Sequence, residues 1–118
     1  MGAKTKEDAL DLVKIIVKAL DEKKSEDIKT LDISNVSVMA DYFIIASGSN
    51  VNQVHAMADF VEEKLAKEGI KPSHIEGYRN ANWILMDFGD LIVHIFDDES
   101  RSFYDLERIW KGGKVINI

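Results

Sequence analysis

Residues 83–88 read WILMDF, residues 89–90 are Gly-Asp, and residues 91–96 read LIVHIF. A two-residue loop with glycine at its first central position, set between two apolar runs, predicts a β-hairpin with a type II′ turn. Because loop length fixes the register, each residue of the first strand has a predictable partner in the second. The expected pairs are Phe88 with Leu91, Met86 with Val93, Ile84 with Ile95, Asp87 with Ile92, Leu85 with His94 and Trp83 with Phe96.

The two faces of this hairpin differ in chemical character. One face is wholly apolar and must point into the core. The other, the mixed face, consists of Trp83, Leu85, Asp87, Ile92, His94 and Phe96. Either the last helix covers the mixed face and Asp87 lies at its solvated margin, or Trp83 anchors a recognition surface. Spacing alone favours the covered face, because large apolar residues usually belong to a core.

The rest of the chain alternates helical and strand patterns around the hairpin. The pattern predicts helices at 6–23, about 50–69 and 99–110, and further strands at 28–33, 42–47 and 74–78. Residues 42–47 form a continuous apolar run, which is typical of a strand covered on both faces. We therefore expect a single α/β domain over 1–118, with a mixed sheet of about five strands and packed helices. The strand after the second helix should return parallel through a right-handed crossover, and 111–118 should be a loose tail.

Composition restricts the class of protein and its partners. The 118 residues suit one domain, with 31% charged and 46% hydrophobic residues and a formal net charge of −6. Cysteine is absent, which excludes disulfides, thiolate metal sites and cysteine catalysis and fits a reducing compartment. The acidic balance argues against DNA or bare RNA as the main partner and favours a basic protein. No apolar run is long enough to span a membrane and no signal-peptide core is present, so we expect a cytoplasmic protein.

The histidines give no metal site in the sequence. His55 and Asp59 lie four residues apart on the second helix, where they could share one ion. Zinc requires three or four ligands, and no third residue has suitable spacing, so a solvent-facing pair is favoured. His74 and His94 each stand alone. We expect neither a metal nor a cofactor.

Gly48-Ser49 follows an apolar strand and precedes a helix, a position that can hold an anion on the helix N-terminus. It lacks the glycine-rich phosphate motifs, so an ordinary turn with a helix cap is favoured. Nucleotidyltransferases also open their site with Gly-Ser, followed by two strand carboxylates one residue apart that hold the metal. In Asp59-Phe60-Val61 valine takes the second acidic position and the segment is helical, so no enzyme is expected.

Three stretches together resemble the Iojap family of bacterial ribosomal silencing factors: DYFIIASG at 41–48, NWILMDFGDLIVHIF at 82–96 and ESRSFYDLERIW at 99–110. The resemblance runs from the first helix to Trp110 and leaves out the tail. It implies a nucleotidyltransferase-like fold without the catalytic carboxylates. It also implies binding to ribosomal protein L-fourteen on the large subunit, exclusion of the small subunit, repression of translation when nutrients are short, and homodimers when free.

The resemblance places Trp83 and Tyr104 on the binding surface. It therefore favours a recognition surface over a covered face as the interpretation of the mixed face. Arg101 and Tyr104 lie three residues apart and can share one face of the last helix. Asp87 and Glu107 are candidate contributors, although each could instead pair with an arginine of that helix. Two alternatives stay open: a metal-dependent nucleotidyltransferase with atypical ligand placement, and a small-molecule-binding subunit that uses the Gly48-Ser49 turn.

Overall fold

The computed structural model describes residues 6–38, 40–103 and 114–116, and these residues form three helices and six strands. In chain order the elements are α1 (Lys6–Glu22), β1 (Glu26–Asp32), β2 (Tyr42–Gly48), α2 (Val51–Ala66), β3 (His74–Glu76), β4 (Trp83–Asp87), β5 (Leu91–Asp97), α3 (Asp98–Phe103) and β6 (Lys114–Ile116).

The strands form one mixed sheet in the order β3-β4-β5-β2-β1-β6. β2 and β5 are parallel, and the other neighbouring pairs are antiparallel. The expected α/β class with a mixed sheet is confirmed, but the sheet has six strands instead of about five. The additional strand is β6, which pairs with β1 and so makes part of the predicted loose tail a sheet edge. Three residues carry too weak a pattern to predict a strand, and their pairing depends on the open edge that β1 offers.

The β4–β5 hairpin has the predicted register at every pair from Trp83↔Phe96 to Asp87↔Ile92. The Phe88 N–H donates to the Leu91 carbonyl oxygen at 2.9 Å, and Gly89 has φ +90°, a conformation that favours glycine. All three residues predicted to face the core from β4 and its end, Ile84, Met86 and Phe88, are buried.

Two apolar clusters lie on opposite faces of the sheet. Helices α1 and α2 pack on the larger one, with Val13, Ile16 and Val61 fully buried. The smaller cluster lies on the other face and contains Leu31, Ile33, Ala40, Phe43, Ile45 and Phe96, with Trp83 and Ile92 packed against it. Strand β2 is buried at every position, as its continuous apolar run predicted.

Local sequence signals set both ends of α2. Asn50 caps the helix, and its side chain accepts a hydrogen bond from the Gln53 N–H at 2.8 Å. At the other end Gly69 has φ +77°, and the Ile70 N–H donates to the Leu65 carbonyl oxygen at 2.9 Å. The sequence predicts a capping box from Asn50 and Gln53 and a helix end at Gly69. The Asn50 cap and the glycine turn are present, but the Gln53 side chain accepts from the Ser49 N–H instead of the Asn50 N–H.

Strand β3 runs in the same direction as β2, as predicted for the strand after the second helix, but the two strands are not neighbours. It pairs antiparallel with β4, and it is separated from β2 by β4 and β5. The chain therefore crosses two strand positions after α2 before it enters the sheet. β3 ends at Glu76, earlier than predicted, because Gly77 turns the chain with φ +76°.

The predicted last helix begins one residue early, at Asp98. The Ser100 N–H donates to the Asp97 side chain at 2.7 Å, so Asp97 caps this helix, and Asp98 and Glu99 lie in its first turn. The remaining part of the prediction, 104–110, lies outside the described residues. No helix among the described residues is long and apolar enough to cross a membrane.

Candidate interaction surface

The mixed face of the hairpin combines buried and half-buried side chains. His94 and Phe96 are buried, whereas Trp83, Leu85 and Ile92 are half-buried. These side chains project on one side of the sheet because they alternate with the core-facing residues along each strand. The face therefore belongs partly to the smaller apolar cluster and partly to the molecular surface.

Trp83 is held by contacts on its own face of the hairpin. Its indole stacks on Phe96 with ring centroids 5.2 Å apart, and its Nε1–H donates to His94 Nδ1 at 3.0 Å. Its carbonyl oxygen lies so close to Gly77 that a Cβ there would collide with it. Both the backbone and the ring of Trp83 are thus positioned by neighbouring residues.

A cleft of about 280 Å³ opens beside this tryptophan. It is lined by Glu76, Gly77, Trp83 and Leu85, and is called the Trp83 cleft below. The cleft is large enough for one side chain of a partner and offers it an aromatic surface with a carboxylate beside it.

Burial lowers the pKa of His94 from 6.5 to about 4. Three aromatic rings surround the imidazole: Phe43 at 4.6 Å, Trp83 at 5.9 Å and Phe96 at 6.5 Å between centroids. Transfer into this apolar setting disfavours the charged form, so His94 is neutral at physiological pH. Its Nδ1 then accepts the indole N–H, and the ring proton resides on Nε2.

Asp87 lies at the hairpin turn, at the other end of β4 from Trp83. Its Oδ1 accepts the Gly89 N–H at 2.8 Å, and its Oδ2 is 3.8 Å from His74 Nε2. His74 also lies 3.2 Å from Glu76. Asp87 and Trp83 share one face, but four residues of strand separate them by roughly 13 Å.

The other predicted interface residues are those expected on the last helix. Arg101 lies within α3, and its side chain is outside the described part of the structure. Tyr104 and Glu107 also lie outside the described residues. Their placement beside Trp83 therefore remains a prediction.

His55 and Asp59 share a neighbour that the sequence did not indicate. His55 Nε2 is 2.6 Å from the Tyr78 carbonyl oxygen, and the two rings stack with centroids 4.4 Å apart. The Tyr78 hydroxyl donates to Asp59 Oδ1 at 2.8 Å, and this hydrogen bond to the carboxylate raises the tyrosine pKa. The pair fastens the loop after β3 to α2. Within 6–38, 40–103 and 114–116, no group of three His, Cys, Asp or Glu is placed to hold a metal ion.

The Gly48-Ser49 turn is filled by the chain itself. Gln53 Oε1 accepts from both the Ser49 backbone N–H at 2.6 Å and the Ser49 hydroxyl at 3.0 Å. Its Nε2 donates to the carbonyl oxygens of Lys23 and Lys24 at 3.2 and 3.0 Å. Both donors of Ser49 are therefore occupied by a glutamine amide. Asp59 and Val61 lie on α2, so the strand carboxylates of a nucleotidyltransferase are not formed there.

Among the clefts that the described residues form, the Trp83 cleft contains a residue predicted for the interface. The fold and this surface define the class: a small α/β domain with a mixed sheet and an aromatic surface cleft on its hairpin.

Comparison with known proteins identifies the family within that class. The chain belongs to the RsfS family, described as ribosomal silencing factor during starvation, whose sequence model matches residues 6–118. The match includes the tail, which the resemblance from sequence had left out. Ribosomal silencing factor RsfS from Bacillus subtilis is 40% identical over 99 residues, 84% of each chain.

Two further comparisons extend this result. A mouse protein named mitochondrial assembly of ribosomal large subunit protein 1 is 30% identical over 101 residues, 83% of this chain and 44% of the mouse protein. The crystal structure of a protein from Bacillus halodurans matches with a TM-score of 0.83 and 33% identity, covering 92% of this chain and 99% of the other.

Proposed function

We propose that this protein binds the large ribosomal subunit through ribosomal protein L-fourteen, blocks its association with the small subunit and so represses translation under nutrient limitation. The observation that carries the proposal is Trp83, a positioned, half-buried tryptophan that lines an open cleft. Membership in the ribosomal silencing factor family supports the ribosomal context. The mouse relative is named for mitochondrial assembly of the ribosomal large subunit.

The geometry of Trp83 suits an interface anchor. Tryptophan is among the residues whose truncation most often weakens protein–protein binding. Because its indole is already stacked on Phe96 and hydrogen-bonded to His94, little side-chain freedom remains to be lost when a partner docks. The neighbouring Leu85 adds apolar area to the same cleft.

The charge of the chain supports a basic partner. The formal net charge is −6. Glu76 pairs with Leu85, and Asp87 lies two residues from Leu85 on β4, so both carboxylates are on the sheet face that carries Leu85 and the cleft. Complementary charge speeds association with a basic ribosomal protein and helps to fix orientation. We assign Asp87, Arg101, Tyr104 and Glu107 to the surrounding contact. We further propose that the protein acts in the cytoplasm, without catalysis, cofactor or metal, and forms a homodimer when free.

Co-sedimentation of the purified protein with isolated large and small subunits tests this function. Trp83→Ala should bind large subunits roughly thirtyfold more weakly, since a hot-spot residue is worth about 2 kcal/mol or more. Phe60→Ala is the matched control, because Phe60 is also a half-buried aromatic but packs against the cluster on the opposite face of the sheet. It should bind as the unaltered protein does.

Thermal melting of both variants separates binding from folding. We expect each truncation to lower Tm by only a few degrees, while only the change at Trp83 weakens sedimentation with large subunits. Failure of the unaltered protein to sediment with large subunits, or equal co-sedimentation with small subunits, would refute the proposed function. Undiminished binding by Trp83→Ala would refute the assigned surface.

A further inference from the structure

His94 is the mixed-face residue whose chemistry the core does not explain. It is 3% exposed, and its Nε2 has no hydrogen-bond partner among the described residues. A buried donor without a partner lowers stability, and native folds keep few such groups. The ring contacts of His94 with Phe43 and Phe96 are ones that a phenylalanine could also make. The presence of histidine instead of phenylalanine at position 94 must therefore depend on an interaction that only an imidazole can make.

That feature is the acceptor nitrogen on the side facing Trp83. His94 lies opposite Leu85, one pair along from the Trp83↔Phe96 pair and on the same face of the hairpin. Diagonal neighbours of this kind are within reach of long aromatic side chains. Here the indole Nε1–H donates to His94 Nδ1 at 3.0 Å while the same indole stacks on Phe96, and Trp83 is one of the residues that line the cleft.

We propose that His94 is a positioning residue: its neutral imidazole, as the Nε2–H tautomer, holds the Trp83 indole in the orientation in which the ring is presented to the partner. This inference rests on the proposed function for the identity of the partner, but not for the internal hydrogen bond. The indole N–H is used inside the protein, so the partner group that docks against Trp83 meets an apolar ring and gives no acceptor to it.

The tautomer of His94 in the unaltered protein is the first test. In long-range ¹H–¹⁵N spectra at pH 7, Nε2 of His94 should carry the proton and Nδ1 should be unprotonated. The Trp83 indole N–H, assigned by its loss in Trp83→Phe, should exchange slowly with solvent. The opposite tautomer, or rapid exchange of the indole proton, would overturn the proposal without any variant at position 94.

Two substitutions at His94 then test the consequence for binding. In His94→Asn the side-chain oxygen lies close to the place of Nδ1 and can accept the indole proton, whereas His94→Phe keeps a ring of similar size without an acceptor. His94→Phe should exchange the indole proton roughly tenfold faster and bind large subunits roughly tenfold more weakly. His94→Asn should retain both properties to within about threefold.

These readouts keep the two proposals separate. If the unaltered protein does not bind large subunits, the proposed function fails, while the tautomer and the indole exchange still decide the role of His94. If His94→Phe preserves slow indole exchange and full affinity, His94 is only a core residue. If His94→Asn loses both properties as fully as His94→Phe does, the acceptor is not what matters and the positioning role is refuted.

Discussion

Acidification should destabilise this protein through a single buried imidazole. Burial lowers the pKa of His94 to about 4 in the folded state, whereas an exposed histidine in the unfolded chain titrates near 6.5. Between these values the unfolded chain binds a proton that the folded chain excludes, so the free energy of unfolding falls as pH decreases. The loss attributable to His94 is about 2 kcal/mol at pH 5 and approaches roughly 3 kcal/mol at and below pH 4. Above about pH 7.5 this contribution is constant.

Urea denaturation at several pH values between 7.5 and 5, performed on the unaltered protein and on His94→Phe, isolates this contribution. Phenylalanine fills a similar volume and cannot be protonated. Other groups titrate in both chains and cancel in the difference, among them Glu26, whose pKa is raised by the neighbouring Asp98 carboxylate. The stability difference between the two proteins should therefore shift by about 2 kcal/mol in favour of the variant from pH 7.5 to pH 5. A difference that stays constant with pH would show that His94 is protonated as readily in the folded as in the unfolded state.

Three further predictions concern other parts of the chain. Gly77→Ala should destabilise the fold by at least about 2 kcal/mol and weaken large-subunit binding. The new Cβ would collide with the Trp83 carbonyl oxygen, and residue 77 has a positive φ that disfavours alanine. An unchanged urea denaturation curve would contradict this prediction. Gln53→Ala should cost about 1–2 kcal/mol by releasing the Ser49 turn, and added phosphate should not restore stability if the turn is only structural. Raising ionic strength should slow association with large subunits more than it speeds dissociation in stopped-flow measurements, whereas a salt-independent on-rate would exclude charge steering.

The hairpin and the caps of α2 could be predicted because their causes are local. A two-residue turn with glycine first specifies which residues pair, and the period of two along a strand then specifies which face each side chain occupies. The Asn50 cap and the Gly69 terminus follow in the same way from backbone groups only three to five residues away. The sequence alone therefore indicates that Trp83 lies on a mixed face. It also shows that no paired carboxylates follow the Gly-Ser turn.

The burial and the protonation state of His94 on the mixed face depend on the tertiary structure. Sequence spacing placed His94 opposite Leu85, but only the packing of Phe43 from β2 against it closes the apolar environment that keeps the imidazole neutral. Tyr78 reaches His55 and Asp59 across 23 and 19 residues, contacts that depend on where β3 enters the sheet. β6 likewise forms only because β1 presents an unpaired edge. Short-range hydrogen bonds and periodicity are encoded in neighbouring residues, whereas burial, side-chain hydrogen bonds and edge pairing arise between segments that meet only when the chain folds.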